Sequence, residues 1–383
     1  MTRVARAVPG LRWFVSLVAG PPAVCAVGLA LFRPEDASWW LAGSLCGLWL
    51  GLLVLARRPT TAGARAAVAV SAVLLFMWPE MALRVAGFRA DSALSIQFGY
   101  PPPELMVRLR HDPELFWKLP VGHPGSNSEG FIGGEFEIPK PEDTYRVLFF
   151  GDSCTMQGFP ARVPPAMAQQ AGRRYDAINF GVAGYTSHQG LVLARRWTKT
   201  LEPDVGVIFF GWNDHWLAFG APDSQKAVAG LRDALRSATR ASRVAQWFAG
   251  LSAADAAAPL DVARVSVEEY SRNIEAIGAL VEAEGGSVLL LTAPTSMYSL
   301  GVPDYLIPTF AKDARAVLDQ HRAYNDVVRA VAAQRGWRLL DLAQELPADR
   351  VEELISGDRI HFTDAGLAWV AGAIAEELPK LRR

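Results

Sequence analysis

Cysteine is scarce, with only Cys25, Cys46 and Cys154 in 383 residues. The first two fall within apolar runs, so Cys154 stands alone in the rest of the chain and neither a disulfide framework nor cysteine-type zinc spacing is available there. A positive surplus is missing too. From residue 89 onward 30 basic residues face 36 acidic ones, which is no footprint for nucleic acid. Internal repeats and low-complexity tracts are absent, which removes repeat and disordered architectures.

Apolar sequence is what the chain has in excess, at 51% hydrophobic residues, and much of it lies at the N-terminus. Leu11 to Phe32 spans 22 residues with Arg3, Arg6 and Arg12 at its head, and Trp39 to Ala56 runs 18 residues without a charge. Both have the length to cross a bilayer core, and Ala66 to Val85 is a third candidate, weakened by Pro79 and Glu80. Trp13, Trp39, Trp40 and Trp78 lie near the run ends, where indoles favour the interface. A cleaved signal peptide would account for the first run but not for two more close behind it. Arg57, Arg58 and Arg65 between the second and third runs, with the basic head, put both segments in the cytoplasm by the positive-inside rule. Three spans then predict a multi-pass anchor over residues 1–88 in the cell (inner) membrane. The C-terminal domain would face the periplasm or cell exterior. A third run that only lay on the membrane would leave that domain in the cytoplasm.

Residues 89–144 read as an ordered collar, rich in proline and glycine yet carrying Phe116, Trp117, Phe131 and Phe136 for packing. From residue 145 to 383, strand and helix alternate. Val147 to Phe150, Ala177 to Phe180, Val205 to Phe210, Ser287 to Leu291 and Trp337 to Leu342 read as strands. Helices are predicted near Val267 to Glu284, Phe310 to Arg335 and Ala365 to Leu378. Runs of this kind suit a parallel sheet covered on both faces, a three-layer α/β/α sandwich with five strands. An insertion over 215–263, with Trp216, Phe219, Trp247 and Phe248, either caps a pocket or covers its own helices.

Four short stretches sit where such a sheet presents its ligands, at the carboxyl ends of strands. Ser153 lies in Gly151-Asp152-Ser153 after the first strand, although that tripeptide also serves as a plain turn and helix cap. A serine nucleophile needs a base, and the base needs a partner that fixes its tautomer. Of His111, His123, His188, His215, His321 and His361, only His361 has an aspartate three residues before it, Asp358. That spacing puts both side chains on one side of a turn, as a capping arrangement also would. Gly184 can offer an unhindered backbone N–H and Asn213 a side-chain amide to a developing oxyanion, or each can be an ordinary loop residue.

Taken in order, Gly-Asp-Ser, the glycine after the second strand, Gly-x-Asn-Asp after the third and Asp-x-x-His near the end resemble the SGNH (GDSL) hydrolase superfamily, over about Tyr145 to Leu381. Asp112 to Leu115 and Asn127 to Phe131 are similar to the leader of its membrane-anchored bacterial members. The resemblance implies a flavodoxin-like fold, Ser153 as nucleophile, His361 as general base and then acid, and Asp358 as its orienter. It implies an oxyanion hole from the Ser153 and Gly184 amides and the Asn213 side chain, with no metal or organic cofactor. His188, His215 and Trp212 are candidate substrate-binding residues. Cys154 stands where the family name has leucine and should point into the fold. The expected activity is hydrolysis of acyl, above all acetyl, esters of envelope carbohydrate or lipid. One alternative is an O-acyltransferase acting on extracellular polysaccharide, which would need an acyl-donor membrane protein. Another is a non-catalytic carbohydrate-binding or scaffolding protein, against which the complete residue set argues.

Overall fold

A computed structural model describes residues 79–86, 109–167, 174–219, 221–226, 242–244, 247 and 259–381. The two expected spans Leu11 to Phe32 and Trp39 to Ala56, and the third as far as residue 78, lie outside these residues. Among the described residues no helix is long and apolar enough to cross a membrane. The chain divides into two compact units, residues 1–90 with 235–251, and residues 91–234 with 252–383. In the first, Glu80 accepts hydrogen bonds from the Ser242 hydroxyl at 2.9 Å and the Val244 amide at 3.1 Å.

Among the described residues the second unit begins with a short antiparallel pair, β1 (Arg110–Asp112) and β2 (Phe116–Lys118). Then follow β3 (Thr144–Gly151), α1 (Phe159–Met167), β4 (Arg174–Asn179), α2 (Ser187–Leu201), β5 (Val205–Phe209), β6 (Leu217–Phe219) and β7 (Pro259–Ala263). The longer elements that follow are α3 (Val267–Ala283), β8 (Ser287–Leu291), α4 (Ala314–Arg335), β9 (Arg338–Leu340) and α5 (Asp364–Glu377), with short helical turns between them. Five strands form one parallel sheet in the order β4-β3-β5-β8-β9. Strand order reverses between β3 and β5, and the crevice at such a switch point is where open α/β sheets bind ligands.

Period-two alternation divides the core between the two faces. Leu148, Phe150, Ile208, Val288 and Leu290 join one cluster with Ile274, Ile277 and Val281 of α3 and Val328 of α4. Val147, Phe149, Val207, Phe209, Leu289 and Leu291 join the other with Val163 of α1 and Val370 and Ile374 of α5. Burying this apolar area is the dominant stabilising term, about 25 cal/mol per Å². The segment before β3 packs on the first face, with Phe131 edge-on to Phe180 at 4.6 Å and to Trp197 at 5.2 Å.

The expected helix from Phe310 starts later, at Ala314. Asp313 is extended and its carboxylate accepts from the Ala316 amide at 2.8 Å, which caps the helix. The predicted strand Ala177 to Phe180 extends back to Arg174, because Arg174, Tyr175 and Asp176 pair with β3. Strands β6 and β7, unforeseen in the sequence, pair antiparallel at the two ends of the insertion.

Candidate active site

Gly151 ends β3 with no side chain for a steric reason. A Cβ there would lie 2.0 Å from the Thr155 hydroxyl and 2.9 Å from the Phe209 carbonyl. The chain can therefore turn at once, and Asp152 caps the turn by accepting from the Cys154 amide at 2.9 Å. Ser153 is left at the first position of the helical turn Ser153–Met156, partly exposed. Cys154 faces inward. It is 1% exposed, with its thiol 3.8 Å from the Ile360 carbonyl, and burial pushes its pKa well above the usual thiol range.

The stretch Ser356 to His361 presents the imidazole from a tight turn in which Arg359 adopts a left-handed φ of 70°. His361 Nε2 lies 2.7 Å from Ser153 Oγ and its Nδ1 2.5 Å from Asp358 Oδ2. The other Asp358 oxygen accepts from the Ser356 hydroxyl at 2.6 Å and from the Ile360 and His361 amides at 3.0 and 2.9 Å. Burial opposes the Asp358 charge, but these donors outweigh it and hold the carboxyl well below its ordinary range. Burial likewise opposes charge on His361, and the Asp358 hydrogen bond and charge, with that of Asp152, outweigh it and raise the imidazole pKa. A carboxylate accepting from Nδ1–H leaves Nε2 free to accept the serine proton.

The two remaining candidates come from the strands beside β3. Asn213, buried after β5, donates its side-chain amide to Asp152 Oδ2 at 3.2 Å, which leaves its second N–H available. Gly184 lies in the loop after β4 with φ at 80°, and among the described residues its N–H donates to no protein acceptor. The same loop is held against the Ser153 turn by Asn179, which donates to the Thr155 carbonyl at 3.0 Å and accepts from the Gly181 amide at 2.8 Å.

Trp212 and His215, expected as substrate contacts, are buried in an aromatic cluster instead. Trp212 is 3% exposed and stacks on His321 at 4.0 Å, and His215 is fully buried beside Trp216 at 4.3 Å. His188 is half-buried in the first turn of α2 and stacks on Phe116 at 5.7 Å, and burial lowers its pKa. Asp152 and Asn179 were not singled out in the sequence. Position inside Gly-Asp-Ser marks the first, but nothing local marks the second. Among the described residues no group of three or more His, Cys, Asp or Glu could hold a metal ion.

Residues 149–369 match the GDSL-like Lipase/Acylhydrolase family. No curated protein matches the chain. Solved structures similar to it include the lipase/acylhydrolase from Enterococcus faecalis, at 19% identity over 62% of this chain and 97% of that one, TM-score 0.42. A carbohydrate acetylesterase from Sinorhizobium meliloti is similar at 15% identity over 62% of this chain and 100% of that one, TM-score 0.39.

Proposed function

The chain belongs to the GDSL-like lipase/acylhydrolase family and is an ester-hydrolysing serine hydrolase, and from that premise we propose a membrane-anchored esterase that removes acyl groups, above all acetyl, from envelope carbohydrate or lipid. The observation that carries the assignment of roles is the His361 ring spanning Ser153 Oγ at 2.7 Å and Asp358 Oδ2 at 2.5 Å. In this reading His361 takes the Ser153 proton as Oγ attacks the ester carbonyl. Charge then grows on the carbonyl oxygen. The Gly184 and Ser153 amides and the second N–H of Asn213 receive it, each such donor being worth roughly 100- to 1000-fold in rate. His361 next protonates the departing alcohol, leaving Ser153 acylated. A water deprotonated by the same ring releases the acid and restores the hydroxyl.

The His361 and Asp358 side chains are 32% and 37% exposed, which leaves this end of the site open to solvent. The membrane anchor, and a catalytic domain on the periplasmic or outer side, are supported by the apolar runs before residue 89 and by the arginines around them.

The experiment is hydrolysis of p-nitrophenyl acetate and butyrate by the full chain, beside Ser153→Ala and Cys154→Ala. Activity lost with the first and kept with the second is the expected result. A folded Ser153→Ala protein as active as the parent would sink the proposed nucleophile. A folded parent no more active than its Ser153→Ala variant would favour transfer of an acyl group from a membrane donor.

A further inference from the structure

Both carbonyls that flank Gly184 are tied to residues far away in the chain. Trp117, on β2, donates its indole N–H to the Ala183 carbonyl at 3.0 Å. Arg264, directly after β7, donates from Nη1 to the Gly184 carbonyl at 2.8 Å. Each donor is itself held. Trp117 is fully buried, and its own carbonyl accepts from the Tyr185 hydroxyl at 2.6 Å. Arg264 is 1% exposed, is gripped by the Asp223 carboxylate at 2.6 and 3.3 Å, and lies 5.9 Å from the Trp117 ring centre. Asp223 in turn accepts from the Thr186 hydroxyl at 3.1 Å, just past the same loop.

A trans peptide is planar, and its C=O and N–H point in opposite directions. The Ala183 carbonyl and the Gly184 N–H are the two ends of one such plane, so a donor that fixes the carbonyl also fixes the aim of the N–H. The Gly184 carbonyl belongs to the next plane. Gly184 is the joint between them at φ 80°, and a glycine offers little resistance of its own to either plane turning. The two distant donors remove that freedom.

We propose that Trp117 and Arg264 are positioning residues that aim the Gly184 N–H at the oxyanion. Strand β2 of the collar and the chain leaving the insertion at β7 then belong to the machinery of the reaction as well as to its packing. This rests on Gly184 being an oxyanion donor, as put forward above. Both side chains are buried and act through the Gly184 peptides, so their contribution falls in the transition state, where a donor acts through being aimed in advance.

The test uses the full chain with Trp117→Phe, with Arg264→Lys, and with Trp117 replaced by 3-benzothienylalanine, which keeps the ring shape and lacks the N–H. Rates on p-nitrophenyl acetate are expressed per serine labelled by a fluorophosphonate, so that misfolded protein is not counted. Inhibition by ethylboronic acid, which forms a tetrahedral adduct on serine, is measured alongside. The expected result is kcat lower by about tenfold, part of the loss known for deleting a whole donor. KM should stay within about twofold, with boronate binding weakened in step with kcat. Unchanged kcat per labelled serine in the benzothienylalanine and Lys variants, or a change confined to KM, would overturn the positioning role while Ser153→Ala stayed inactive. An active Ser153→Ala protein would overturn the underlying esterase reading instead.

Discussion

Asp152 and Asn213 are joined by a buried hydrogen bond, 3.2 Å from the asparagine amide to the carboxylate, across the switch point between β3 and β5. The same carboxylate accepts from the Cys154 amide at 2.9 Å, so one side chain ties the turn that carries the proposed nucleophile to a proposed oxyanion donor. Burial raises its pKa to about 6, against the partial opposition of the Cys154 amide, the His361 charge and the Asn213 amide.

Replacing Asp152 by asparagine should therefore lower kcat about 10- to 100-fold with little change in KM, because the new amide would face the Asn213 amide donor to donor and turn it away. Steady-state kinetics check this, and an unchanged kcat would show that Asn213 is oriented by something else. The stability change should depend on pH. Between pH 3.8 and about 6 the native carboxyl binds more protons than the unfolded one, so this group makes stability fall as pH rises through that window. Urea midpoints for the variant should lack that component.

The acid limb of kcat/KM should lie above pH 6.5, the ordinary histidine value, because the base must be neutral and the Asp358 contacts raise its pKa. Asp358→Asn should move the limb down and lower the plateau, which a pH profile of both proteins would show. The His361–Asp358 pairing also contributes stability. On the histidine side that contribution is full below pH 6.5 and is lost as pH rises through the raised value. On the aspartate side it is present above pH 3.8 and is lost as pH falls through the depressed value.

Gly278→Ala sets two effects against each other. Alanine in place of glycine inside α3 should gain about 1 kcal/mol of helix propensity. Its Cβ would however meet the Trp337 ring at 2.2 Å, and overpacking of that kind costs about 1–3 kcal/mol. The close approach is to a buried ring and not to a flexible chain end, so net destabilisation by about 1 kcal/mol is expected in denaturant melts. Activity per folded molecule should be unaffected, since the contact lies far along α3 from Ser153.

What the sequence made legible and what it did not divides along physical lines. The three central strands β3, β5 and β8 are buried almost throughout and read as continuous apolar runs, whereas the edge strands β4 and β9 carry exposed Arg174 and Arg338 and were legible only in part. Four chemistry-bearing stretches stand at strand ends or before a helix. The Asp358–His361 pair is three residues apart, close enough for local spacing to indicate it. The Trp117–Ala183 and Arg264–Gly184 contacts join residues 66 and 80 apart, and no local pattern carries such a pairing. His215 looked available because it follows Asn213-Asp214, but burial is decided by tertiary packing against Trp212, Trp216 and His321. The start of α4 was misplaced for a smaller reason. Phe310 continues the apolar pattern, while its carbonyl accepts from the Leu217 amide, and the helix waits for Asp313 to cap it.

The proposed membrane anchor yields a prediction of its own. Residues 1–88 hold eight arginines and three acids, with basic residues before the first apolar run and between the second and third. Three crossings from a cytoplasmic N-terminus bring residue 88 outside, whereas two crossings with an interfacial third segment bring it back in. Alkaline phosphatase folds to activity only outside the cytoplasm, where its disulfides form. Fused after Phe88 it should be active, and a cytoplasmic β-galactosidase fused at the same point should be inactive. The reverse pattern would remove the third crossing and place the esterase domain in the cytoplasm, where envelope polysaccharide could not be its substrate.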